Sequence, residues 1–278
     1  MAARFWVGGT GTWDLSSTTH WATSSGGTSG ASAPGASDTV TFDGNSGGGT
    51  VTVAFGGSGT FSSLTTSAFT GTLDFSANND NISIGTFNDA GTGTHTINMG
   101  NGTWTLTAAS GTVWNLSGAS LTLNANGSTI LFSAVAIAGR TFAGNGKTYN
   151  NFTVTNAASN PWSIVITGSN TFANITTTNQ RSLAVSNATT QTVSGALSCS
   201  GTIAAMNYLG GIISSNIGSG GTFSVAGSNT LSWLFIQNLT KAGAGSITVN
   251  NGIDGGGNTG ITFNTPPPIP RSRVFTGM

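Results

Sequence analysis

One short phrase recurs along this chain and limits what it can fold into: Thr148-Tyr-Asn-Asn-Phe152, Thr171-Phe-Ala-Asn-Ile175 and Thr230-Leu-Ser-Trp-Leu234, with an earlier copy at Thr60-Phe-Ser-Ser-Leu64. The separations lie close to multiples of about 20 to 23 residues. A fixed period of that size marks stacked units, each burying its apolar face only against its neighbours. The local pattern makes the unit a β one. Phe152-Thr-Val-Thr, Ser163-Ile-Val-Ile-Thr167, Leu121-Thr-Leu-Asn and Ile247-Thr-Val-Asn alternate apolar with polar residues, the period of a strand with one face buried. Gly-Asn, Asn-Gly and Gly-Ser pairs stand between them and supply the positive φ angles of sharp turns. No helical period competes, and the chain contains no Glu.

Short strands with frequent turns leave two architectures, a β-solenoid and a β-sandwich or barrel. Composition separates them. With 5% charged residues and 37% hydrophobic residues, the chain is too apolar and too periodic for disorder. The thin core of a solenoid coil needs only small and β-branched side chains, while Asn, Ser and Thr can form hydrogen-bonded ladders from coil to coil. The expectation is therefore an all-β, parallel β-helix-like solenoid, with a sandwich as the alternative. About ten coils at about 4.8 Å each would make a rod on the order of 50 Å long.

Three regions are expected. Residues 1–43 hold Trp6, Trp13 and Trp21, a density of large rings that suits an N-terminal cap over the first strand; the rival reading is a platform for glycan stacking. Residues 44–263 hold the repeats. In residues 264–278, Thr265-Pro-Pro-Pro-Ile-Pro270 reads as a stiff polyproline spacer. It leads to Arg271, Arg273, Val274 and Phe275, a basic and apolar peptide suited to docking on another subunit.

The run Trp6-Val-Gly-Gly-Thr-Gly-Thr-Trp-Asp14, then a further Trp, a Gly/Ser-rich stretch and Pro34-x-x-x-Asp-x-Val-x-Phe-Asp43, resembles the opening of a group of β-helical proteins of tailed bacteriophages and bacterial surfaces. Gly144-Asn-Gly-Lys-Thr-Tyr-Asn-Asn-Phe-Thr-Val154 and Asp254-Gly-Gly-Gly-Asn-Thr-Gly-Ile-Thr-Phe263 are similar to that group's middle and closing repeats. One departure is that Ile261 stands where the group usually has Trp. The resemblance implies a structural virion component, a decoration or fibre protein on head or tail. It also implies a homotrimer bound to other virion structural proteins. The alternatives are a bacterial cell-surface adhesin or receptor-binding protein recognising host glycans, and a polysaccharide depolymerase.

Localisation is read from what precedes the repeats: Met1-Ala-Ala-Arg-Phe-Trp-Val lacks a signal peptide's apolar run, so assembly in a host cytoplasm is expected. The longest apolar stretch, near residues 130–139, is too short to span a bilayer, so no membrane insertion is expected. A formal net charge of +0 gives nucleic acid no electrostatic footprint. Cys199 stands alone, so no intramolecular disulfide forms.

No catalytic site, cofactor or metal is expected. Glycosidic chemistry needs two carboxylates at a set separation, whereas Asp14, Asp38, Asp43, Asp74, Asp80, Asp89 and Asp254 stand in turn-like surroundings. His95 shares a strand face with Ile97 and reads as a satisfied structural histidine, and His20 belongs to the cap. Gly8-Gly-Thr-Gly11 precedes no helix and carries no weight as a phosphate loop. Gly255-Gly-Gly257 lacks the nonapeptide period of calcium-binding β-rolls.

Overall fold

The computed structural model describes residues 1–118, 120–133, 138–155, 164–177, 182–201, 207–211 and 220–264. The described residues are all-β, with many short strands and no helix. The repeated phrase explains much of the backbone path. Thr-Φ-x-x-Φ sets two apolar residues three positions apart, and a straight strand cannot point both to one side. The chain therefore bends between them. In the strand Thr171–Thr177, Phe172 and Ile175 are both buried while Ala173 and Asn174 face outward at the corner. Ser58–Ser67 and Asn81–Asn88 bend the same way, and each pairs as two short runs with a skipped residue between.

The strands fall into three stacks. The first runs from Ala3–Trp6 through Thr39–Asp43, the ends of Ser58–Ser67 and Asn81–Asn88, then Gly111–Asn115, Arg140–Ala143, Ile164–Thr167, Ser182–Val185, Asn207–Gly211 and Leu234–Gln237 to Ile253–Asp254. A second begins with the first halves of Ser58–Ser67 and Asn81–Asn88 and continues through Thr103–Leu106, Thr129–Phe132, the second halves of Thr148–Val154 and Thr171–Thr177, and Leu197–Ser198. Ser228–Ser232, Ser246–Asn250 and Ile261–Asn264 follow it. The third holds Gly11–Trp13, Thr50–Val53, Thr72–Asp74, His95–Asn98 and Leu121–Asn124. It resumes with the first halves of Thr148–Val154 and Thr171–Thr177, then Thr190–Val193, Gly221–Val225 and Leu239–Ala242.

The chain visits first, third and second stack in turn, and each visit pairs in parallel with the one before. Among the described strand pairs, only Ala3–Trp6 with Trp21–Ala22 is antiparallel. Steps between facing residues are 23 from Leu64 to Phe87 and 22 from Ile82 to Trp104. They lengthen to 32 from Val193 to Val225, then shorten to 18 from Leu231 to Val249 and 14 from Val249 to Phe263.

Inside the stacks runs one continuous core. Its first part is aromatic: ring contacts lead from Trp6 to Phe42 (5.7 Å), Trp13 (5.5 Å) and Phe75 (6.3 Å). They continue to Trp104 (4.6 Å), Trp114 (5.8 Å), Phe142 (5.7 Å) and Phe172 (6.1 Å). Beyond Phe172 the filling is mainly aliphatic, with Ile175, Leu183, Val193, Leu234 and Val249 buried beside Phe223. On the outer faces, stacked asparagines bond from one visit to the next: Asn115 Nδ2 donates to Asn88 Oδ1 (2.8 Å), Asn124 to Asn98 (2.8 Å), Asn174 to Asn151 (2.9 Å) and Asn264 to Asn250 (2.7 Å).

Candidate functional site

Two places gather chemistry-bearing side chains. At the N-terminal end Trp6, Trp13 and Trp21 come together, as their crowding in the sequence implies. Trp21 stands edge-on to both others, at 5.2 Å from Trp6 and 5.6 Å from Trp13. All three are buried, so none offers a ring face on which a sugar could stack. His20 lies flat on Trp6 at 4.6 Å, and its Nδ1 donates to the Val7 carbonyl (2.9 Å). The glycine run makes room for it. A Cβ on Gly11 would come within 2.6 Å of His20 Nε2, and one on Gly8, whose φ is +95°, within 3.0 Å of Nδ1. Gly8-Gly-Thr-Gly11 is thus a seat for an imidazole ring. Segment ends are tied in as well: Ala2 N donates to Asp38 Oδ1 (2.7 Å), and the Arg4 guanidinium donates to Ser32 O and Oγ (2.8 Å each).

The second place is interior. Asp89 is fully buried, and its Oδ1 lies 3.7 Å from His95 Nε2. His95 Nδ1 is 2.8 Å from the Gly93 carbonyl, which only accepts, so Nδ1 carries a proton. At 3.7 Å neither Nε2 nor either Asp89 carboxylate oxygen has a hydrogen-bond partner, so the two groups face each other in the interior without a bond between them. Burial pushes the Asp89 carboxyl above its ordinary value, with His95 first, then the Thr66 hydroxyl and Lys147, opposing the rise. Thr66 Oγ1, also buried, lies outside hydrogen-bonding geometry. The loop between Asp89 and His95 folds this close because Gly91 and Gly93 lack side chains; a Cβ on Gly93 would stand 2.0 Å from the Phe69 carbonyl oxygen. Sequence reasoning placed His95 correctly beside Ile97 on the inner face but missed its carboxylate. The available signal was an Asp and a His bracketing two glycines.

The remaining carboxylates serve turns. Asp14 accepts from Ser16 N and Ser17 N, Asp43 from Asn45 N, Asp74 from Ser76 N and Asp254 from Gly256 N. Asp80 reaches further, clasping the backbone of Phe55 and Gly57 from the neighbouring visit. The N–H of Ser17 above all holds Asp14 below its usual range, and that of Gly35 does the same for Asp38, the opposite of what a general acid needs. Cys199 is buried, and burial pushes its thiol up to about 12, which makes it a poor nucleophile. Among the described residues no three His, Cys, Asp or Glu side chains cluster as metal ligands, and no helix is long and apolar enough to cross a membrane. Arg271, Arg273, Val274 and Phe275 lie outside the described residues. An open groove of about 460 Å³ crosses the corners of successive visits, lined by Asn124, Asn126, Asn150, Thr171 and Ser194.

Compared with protein-family models, with curated proteins and with solved structures, the chain matches none of them.

Proposed function

We propose that the three stacks are the sides of one β-solenoid, closed at its N-terminal end by an aromatic cap, and that the protein is a structural component of a tailed-phage particle. The mechanical part of this reading is carried by one observation: successive visits of the chain are keyed together through facing core residues, and asparagine amides are shared between the visits at Asn88/Asn115, Asn98/Asn124, Asn151/Asn174 and Asn250/Asn264. Parallel stacking with amide ladders resists bending and shear without using charge. Assignment to a phage decoration or fibre protein draws on the resemblance of residues 6–43, 144–154 and 254–263. The residues that carry it are the same ones that close the N-terminal end and turn the corners. The decisive experiment is whether the protein co-purifies with intact particles at a fixed, symmetry-related copy number. A fixed number supports the reading, and recovery only in the soluble lysate overturns it. Light scattering tests the proposed trimer, which a stable monomer contradicts.

A second reading, glycan recognition by an adhesin or receptor-binding protein, is favoured by the groove across the corners. The groove is lined by asparagine amides and by threonine and serine hydroxyls beside Leu123 and Tyr149, a mixture suited to a polymer. Since Trp13 and Trp21 are buried, its test moves from them to the groove. Asn150→Ala should abolish retention on host polysaccharide, and unchanged retention would remove this reading.

A further inference from the structure

The two ends of the solenoid are finished differently. At the N-terminal end, the outer edge of Ala3–Trp6 is paired by Trp21–Ala22, with Phe5 facing Ala22 and Trp6 facing Trp21. At the other end, Ile261–Asn264 pairs on one side with Ser246–Asn250, and no described strand lies on its other side. Its inward residues Ile261 and Phe263 are only half-buried, although Ile247 and Val249 directly beneath them are buried. Ile253 beside them is 49% exposed. An apolar strand edge of this kind, free of charged gatekeepers, is a template for another strand.

We propose that this chain's own residues 265–278 cover that end, with Phe275 on Ile261 and Thr276 on Thr262. The spacing points to it. The last described turn takes 14 residues, from Ile247-Thr248 to Ile261-Thr262, and the same step from Ile261-Thr262 reaches Phe275-Thr276. An apolar residue and a threonine recur at each of the three positions. The step also sets Pro267 and Pro268 beyond Ile253 and Asp254. Prolines have no N–H to offer a further strand, so a turn that contains them ends the stack. Charge agrees: Asp254 is the only Asp after Asp89 in a chain without Glu, and Arg271 and Arg273 fall within the covering segment. The covering turn thus does for this end what Trp21–Ala22 does for the other, and leaves the solenoid unable to grow by edge addition.

The inference rests on the solenoid reading and is independent of the phage assignment. It is tested on the full chain with two double-cysteine variants. Thr248→Cys/Thr262→Cys spans a described register pair; Thr262→Cys/Thr276→Cys spans the proposed one. Facing strand positions lie within the reach of a disulfide, and buried Cys199 does not compete. Both variants should form an intramolecular disulfide on oxidation. If only the first does, the covering turn is refuted; if the 262–276 pair links two chains instead, the tail belongs on a second copy and the inference is overturned. Failure of the first pair counts against the solenoid itself. As a second readout, Phe275→Asp should speed amide hydrogen exchange of residues 261–264 by about tenfold or more, and unchanged exchange contradicts the proposal.

Discussion

The two ends of the molecule meet the same hazard, an open core and an unpaired edge, with opposite means. The N-terminal end uses three tryptophans, a histidine and an antiparallel strand, and all three tryptophans are buried. The C-terminal end carries a small polar lid. There Asp254 accepts from Gly256 N and Asn258 Nδ2, while Asn258 bonds the Ile236 carbonyl and the Leu239 amide. Beside the lid, Ile261 and Phe263 are half covered. The difference extends inward, since ring-to-ring contacts run through the core as far as Phe172, whereas beyond it the filling is mainly aliphatic around a single buried ring among the described residues, Phe223. The steps beyond Phe172 are the less even ones, 32 residues from Val193 to Val225 but 18 from Leu231 to Val249 and 14 from Val249 to Phe263.

The largest expected effect breaks the closed end. Trp13→Ala should cost about 3 to 5 kcal/mol, because it empties a volume bounded by Trp21, Phe42, Phe55 and Phe61. Phe263→Ala at the C-terminal end, where the ring is only half-buried, should cost only about 1 kcal/mol. Denaturant titration followed by tryptophan fluorescence measures both, and equal losses would erase the contrast.

The buried pair comes next. Removing its histidine strands a carboxyl in the interior, so His95→Ala should cost about 3 to 5 kcal/mol by the same titration. Its pH dependence has a definite sign. Burial places the folded Asp89 value above 3.8. The stabilisation it brings is complete below the unfolded value and is lost as pH rises through the folded one. The stability difference between the wild type and Asp89→Asn should therefore shift against the wild type as pH increases from about 4; a difference that is flat with pH would show that Asp89 is not raised.

The amide ladders should matter less. Asn174→Ala removes the bonds to Asn151 and to Ala196 N, at about 1 to 2 kcal/mol in thermal or chemical melts. Smallest of all, Leu15→Lys at an exposed position near the N-terminal end should change stability by no more than about 0.5 kcal/mol. A larger loss in the same melts would mean that something covers Leu15.

Much of this was legible in the residues, and the exceptions have physical reasons. The alternation in Thr148–Val154 and Thr171–Thr177 foretold strands, and their phrases do stack in register, Tyr149 on Phe172, Asn151 on Asn174 and Phe152 on Ile175. The copies at residues 60–64 and 230–234 belong to a different corner, between the second and first stacks. Any one-residue corner needs the same Thr-Φ-x-x-Φ pattern, so the phrase reveals the period but not the position within a turn. The positive-φ pair Asn145-Gly146 fell at a turn, as its type demands. Trp233, with φ of 56°, did not announce itself, because a bulky residue there is held by its surroundings. Trp6, Trp13 and Trp21, crowded in the sequence, also meet in space. The continuation of that aromatic lining through Trp104, Trp114 and Phe142 was hidden, since those residues are scattered in sequence and meet only on stacking. Asp89 and His95 looked like turn and strand residues for the same reason.

The central claim is that successive visits of the chain lie one above another at a constant rise. Pulsed electron paramagnetic resonance on spin labels at Thr41 paired in turn with Asn115, Ala143 and Thr167 tests it directly, because these positions follow one another along the first stack. The account predicts mean distances that increase by about 4.8 Å with each visit, to about 24 Å for Thr41 with Thr167. Distances that level off or fall as the sequence separation grows would contradict it.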